Sequence, residues 1–106
     1  MGGVRGQRPR YPLGQIKAAF ADAARLNRTI SAAEGAKALG MGEQAVVEVI
    51  ARLTARDFDK SMPSDFDPAT RQDVYKTVVD GRELYVKFTR DRQGGLLLIS
   101  FKENDE

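Results

Sequence analysis

The hydrophobic pattern of this chain changes period once, near Phe58, and that change decides its fold class. Before it, apolar residues recur every three or four positions: Leu13, Ile16, Phe20 and Ala23/Ala24, then Val46, Val49, Ile50 and Leu53. After it they alternate, so that Leu84, Val86 and Phe88 fall on one side of a strand and Glu83, Tyr85, Lys87 and Thr89 on the other. Helices therefore precede strands. The pattern predicts an α+β domain with N-terminal helices packed on one face of a C-terminal antiparallel β-sheet. The other face is left open and polar.

The punctuation sets the element bounds. Pro12 suits a first helical turn, and the apolar spacing carries that helix to about Leu26. Ser31-Ala-Ala-Glu34 has the form of a capping box and predicts a short helix ending near Gly40. Gly42 and Glu43 lead into a third helix, and Thr54-Ala-Arg-Asp57 marks a further helical start. Strands are predicted over 58–62, 73–79, 83–89 and 96–102, with Gln72 just before the second. The Asp80-Gly81 pair is a hairpin signal, and 63–70 and 90–95 are looser connections. The apolar run Leu96–Ile99 predicts that the last strand is central and partly covered on both faces. Residues 1–10, MGGVRGQRPR, read as a flexible basic arm; Arg5, Arg8 and Arg10 could touch phosphate, but a plain disordered tail is the favoured reading, and residues 11–106 read as a single domain.

Two absences narrow the chemistry. There is no cysteine, which excludes disulfides and thiolate metal sites and fits a cytoplasmic protein. There is no histidine, which removes the commonest metal ligand and the commonest acid–base residue together. Catalysis has to come from carboxylates, lysines, tyrosines or hydroxyls. The run Leu96–Ile99 is far too short to span a bilayer, and no apolar stretch follows the basic N-terminus, so neither a membrane anchor nor a signal peptide is expected. The net charge of +2 is uneven, basic over residues 1–56 and acidic over 57–106. The basic half suits a polyanion, and it equally suits a solvated face.

The acidic stretch DFDKSMPSDFD places Asp57, Asp59, Asp65 and Asp67 close in sequence. Its spacing is not that of a calcium loop, since it has neither the turn glycine nor the closing glutamate. These residues read as solvated turn aspartates, with a metal-dependent nuclease as the minor reading. No metal and no cofactor is expected.

On the open sheet face, Tyr85 and Lys87 point the same way because they are two apart. Lys102 shares parity with Ser100, Lys60 lies in the first strand, and Gln72 stands beside the second. In a meander these converge. Lysines offer charge to a phosphate, and tyrosine offers a proton and a ring. Taken singly, each has a plainer explanation: strand lysines ordinarily protect edges, Tyr85 is a good strand former, and Gln72 can simply hold a loop.

Four motifs follow one another in the C-terminal half: DFDKSM at 57–62, RQDVY at 71–75, LYVKFT at 84–89 and LLISFKE at 97–103. Their order and spacing resemble the MqsR-type (motility and quorum-sensing regulator) mRNA interferases, whose pattern is D-F-x-K-S-M, Q-D-V-Y, V/L-Y-x-K and S-F-K-E. The resemblance implies a RelE-like fold, endoribonuclease activity on mRNA, and a cognate antitoxin as partner. It carries the active-site positions onto Lys60, Gln72, Tyr85 and Lys102. Asp59 and Arg71 depart from the pattern, which has aromatic residues there, and base stacking is the property those two positions bear on.

The implied chemistry is a metal-independent transesterification in which the RNA 2′-hydroxyl attacks its own phosphodiester. Lys60 and Lys102 would stabilise the phosphorane, Tyr85 would move a proton, and Gln72 would orient the nucleotide. Lys76 and Lys87 would bind RNA beside them. Glu103, next to Lys102, is the carboxylate best placed to compete as the base. The alternatives are a non-catalytic nucleic-acid-binding regulator on the same basic face, a protein-interaction domain, and a toxin that cuts only on the ribosome.

Overall fold

The computed structural model describes residues 7–65 and 67–105. Three helices, α1 (Leu13–Ala19), α2 (Ile30–Ala38) and α3 (Glu43–Ala51), precede four strands, β1 (Phe58–Pro63), β2 (Arg71–Val79), β3 (Arg82–Arg90) and β4 (Leu96–Glu103). The strands form an antiparallel meander in the order β1-β2-β3-β4. The α+β arrangement is the one the change of period predicts. No helix among the described residues is long and apolar enough to cross a membrane.

The core lies between the helices and one sheet face. Ile16, Phe20, Ala32, Ala36, Val46, Ile50 and Leu53 from the helical half meet Tyr75, Leu84, Val86, Phe88, Leu98 and Phe101 from the sheet, all of them buried. Phe20, Phe88, Tyr75 and Phe58 form a chain of tilted and edge-on rings with centroids 5.4 to 5.9 Å apart, the spacing aromatic quadrupoles favour. Between β2 and β3, Asp80 and Gly81 both have positive φ, 52° and 79°. That is the demand of a type I′ hairpin, and it explains the Asp-Gly pair.

The structure corrects four expectations. The first helix is not continuous to Leu26. It ends at Ala19, and a separate 3-10 turn, Ala23–Arg25, follows, capped by Asp22, whose carboxylate accepts from the Ala24 N–H at 2.9 Å. The cap of α2 is Thr29, not Ser31; its hydroxyl accepts from the Ala32 N–H at 3.1 Å. Gln72 lies inside β2, opposite Met62. And β4 is an edge strand, not a central one.

The apolar run of β4 is satisfied in another way. Asn27 and Thr29 bond to Leu98 from outside (Leu98 N to Asn27 O, 3.0 Å; Thr29 N to Leu98 O, 3.1 Å), making one parallel bridge along its edge. Helix α2 then lies directly on the strand: a Cβ added to Gly35 would collide with the Phe101 carbonyl oxygen.

Of the predicted N-terminal arm, residues 7–10 run against the sheet. Gln7 donates to the Ser61 carbonyl at 2.6 Å, and the buried Asp73 carboxylate accepts from the Arg10 and Tyr11 N–H groups at 3.0 and 2.9 Å. Arg8 and Arg10 are exposed, and Arg5 lies outside the described residues.

Candidate functional site

The site is built on the face of the sheet that the helices leave uncovered. Strand register sets out its rows. Across the middle run Lys60, Val74, Lys87 and Ser100; beside them run Lys76, Tyr85 and Lys102; on the other side stand Met62 and Gln72, with Thr89 and Leu97 next to them. Strands about 4.8 Å apart put Lys60 and Lys87 roughly 10 Å apart at the backbone, so their side chains can reach one phosphodiester between them.

Two β-bulges make this face possible. In β1 the register skips between Phe58, opposite Tyr75, and Lys60, opposite Val74. Asp59 is the extra residue, and it lets Phe58 join the core while Lys60 turns outward. In β4 the register skips between Ser100, opposite Lys87, and Leu98, opposite Phe88. Ile99 is extra, and so Leu97, Ser100 and Lys102 share the open face while Leu98 and Phe101 are buried.

Tyr85 is the centre of the cluster. The Lys102 ammonium stands 5.5 Å and the Lys87 ammonium 5.7 Å from its ring centroid. Such cation–π contacts hold the ring and both charges in one place. Lys60 and Lys102 are exposed and Lys87 is half-buried. Burial holds the Lys87 amine below the usual lysine range; Asp65 opposes the shift, and Lys102 and Lys60 reinforce it. Val74 is fully buried although it lies on this open face, where its register partners are Lys60 and Lys87.

Gln72 stands one row away, in a cleft of about 810 Å³ whose walls include Ser64, Thr89, Arg92, Leu97 and Ile99. The structure thus gathers Lys60, Tyr85, Lys87 and Lys102 and sets Gln72 at their flank. Lys76 shares the row of Tyr85 but forms an ion pair with Asp59 at 3.7 Å. A hollow of about 460 Å³ between α3 and the β2–β3 turn contains none of the predicted residues.

Sequence reasoning missed the Leu97 and Ile99 wall, because an apolar run at the end of a chain reads as core. Thr89 was legible by parity with Tyr85. Glu103 pairs with Leu84 in register, so it lies on the helix side of the sheet and away from Tyr85.

The aspartates have local structural work. Asp57 caps the turn 55–57 through the Thr54 N–H at 2.7 Å, Asp67 accepts from Ala69 and Thr70, and Asp59 holds Lys76. Among the described residues no group of three or more carboxylates comes together as a metal site. The two departures from the aromatic pattern also separate. Arg71 bonds back to Ser61 (Nη2 to the carbonyl, 2.8 Å), tying β2 to β1 from the helix side, while Asp59 sits in the bulge at the rim of the site.

Comparison with known proteins agrees with this architecture. Residues 8–103 match the family described as motility quorum-sensing regulator, toxin of MqsA. The chain is 34% identical over 95 residues to the mRNA interferase toxin MqsR of Escherichia coli (strain K12), covering 90% of this chain and 94% of that protein. The four motifs, the meander that carries them and a match over nearly the whole length agree: this chain belongs to the MqsR toxin family.

Proposed function

We propose that this protein is the toxin of a toxin–antitoxin pair and an endoribonuclease that cleaves mRNA on the open sheet face. The observation that carries the reading is Tyr85 flanked by the Lys87 and Lys102 ammonium groups at 5.7 and 5.5 Å, with Lys60 on the same face. A single-stranded RNA laid across that face meets positive charge for its phosphate and a ring for a base. The phosphorane formed by 2′-hydroxyl attack carries more negative charge than the diester, so Lys60 and Lys102 stabilise it more than they stabilise the substrate. Tyr85 donates to a non-bridging or leaving oxygen. Gln72 offers amide donor and acceptor to the neighbouring nucleotide in the cleft. The products are a 2′,3′-cyclic phosphate and a 5′-hydroxyl.

The partner is an antitoxin protein that covers or disables this face, in keeping with the family's description as toxin of MqsA. The test is incubation of the purified protein with naked RNA in excess chelator, with end-group analysis of the fragments. Cleavage giving cyclic phosphate and 5′-hydroxyl ends supports the reading. RNA that is bound and never cut makes the protein a regulator, and cleavage abolished by chelator and restored by magnesium turns attention to the aspartates.

A further inference from the structure

The lysines of the site are not equivalent, and their placement divides the labour. Lys87 lies on an inner strand, between Lys60 two strands away and Lys102 on the neighbouring strand. It is half-buried where both of the others are exposed. Among the described residues it has no ion-pair partner, whereas Lys76 is held by Asp59. Lys87 and Lys102 share the Tyr85 ring and Lys60 lies on the same face; like charges so placed repel one another, and the least solvated of them sheds its proton first.

We propose that Lys87 is the proton-transfer residue of the cleavage reaction, accepting the 2′-hydroxyl proton while Lys60 and Lys102 stay charged around the phosphate. The inference rests on the cleavage reading above. In the step, the 2′-oxygen forms a bond to phosphorus and the bond from phosphorus to the 5′-oxygen breaks. The 2′-hydroxyl proton moves to the Lys87 amine, and the departing 5′-oxygen takes a proton from the Tyr85 hydroxyl. Exchange with solvent then resets both groups. The charged groups around Lys87 are Lys60 from β1, Asp65 from the β1–β2 loop, Lys102 from β4 and Tyr85 on its own strand. Burial lowers its basicity most, Asp65 acts against this, and the two lysines add to it. Glu103, the competing base, faces the other side of the sheet.

The experiment is single-turnover cleavage of a short RNA between about pH 5 and pH 10 by the full chain, by Lys87→Arg and by Lys87→Ala, with RNA affinity and circular dichroism measured in parallel. The wild-type rate rises with pH and levels off below the ordinary lysine range. Lys87→Arg keeps its positive charge and its RNA affinity but cannot give up a proton. Its rate falls by about 100-fold or more, the usual contribution of a positioned acid or base, and the rise with pH disappears. Lys87→Ala regains cleavage when ethylamine is added, and more so as pH rises. A folded Lys87→Arg that cuts as fast as wild type with the same pH profile overturns this inference and leaves the cleavage reading standing. A wild type that cuts no RNA overturns the cleavage reading itself.

Discussion

Phe58 and Lys60 are two residues apart on β1 and face opposite sides of the sheet. Phe58 packs edge-on to Tyr75 with ring centroids 5.6 Å apart, while Lys60 lies opposite Val74 on the open face. A regular strand would send both the same way. Asp59, the residue inserted between them, is what allows one short strand to supply a core ring and a site lysine.

Deleting Asp59 is therefore expected to be tolerated. The shortened strand places Phe58 inward and Lys60 outward by ordinary alternation. What is lost is a partly exposed ion pair to Lys76, worth about 0–1 kcal/mol. Thermal unfolding checks this: a fall of no more than roughly 4–8 °C is expected, with cleavage retained. Loss of the folded state would mean that the bulge does more than re-aim two side chains.

Gly35→Ala is expected to damage both fold and site. The new methyl meets the Phe101 backbone carbonyl, which cannot rotate away, so β4 must shift. A cost of about 1–3 kcal/mol is the usual scale for overpacking. Because Lys102 follows Phe101 on that strand, cleavage is expected to fall as well. Denaturant titration together with a cleavage assay reads both effects. An unchanged midpoint would show that α2 does not press on β4 as closely as the geometry has it.

Tyr75 belongs to the same Gln-Asp-Val-Tyr motif as Gln72 but sits in the core, with its hydroxyl buried and, among the described residues, without a hydrogen-bond partner. Burial, then Asp73 and Asp57, push its pKa up to about 12. The unfolded chain releases that proton near pH 10. Below pH 10 both states hold the proton and Tyr75 adds no pH dependence. Between about 10 and 12 only the unfolded state loses it, so stability falls as pH rises. Tyr75→Phe is expected to leave stability at pH 7 unchanged or raised and to soften the fall above pH 10. Urea midpoints at pH 7 and at about pH 11, between the unfolded and folded values, decide it, and a Tyr75→Phe protein that unfolds far more easily at pH 7 would reveal a partner for the hydroxyl.

The same motif shows how far the sequence is legible. Parity alone placed Tyr85, Lys87 and Thr89 together, and the Asp-Gly pair marked the hairpin that joins β2 to β3. Parity could not tell that Asp73 is a buried acceptor for the Arg10 and Tyr11 N–H groups, because its partners are 63 and 62 residues away in sequence. Nor could it find the bulges at Asp59 and Ile99, which obey no local composition rule and arise when core and site make opposing demands on one strand. The edge position of β4 was hidden for a related reason. The 27–29 segment bonds along its outer edge at Leu98 and Gly35 lies against Phe101, tertiary contacts that periodicity does not encode.

Whether the open face performs the cleavage is decided by single-turnover cleavage of one short RNA by Lys60→Ala, Tyr85→Phe and Lys102→Ala beside the wild type. Lys60 and Lys102 are exposed, so their truncation to alanine is expected to change stability by about 0.5 kcal/mol or less. Cleavage is expected to fall by about 100-fold or more in each, as when a transition-state donor is removed. Folded variants that cut RNA at the wild-type rate would contradict the assignment of this face as the active site.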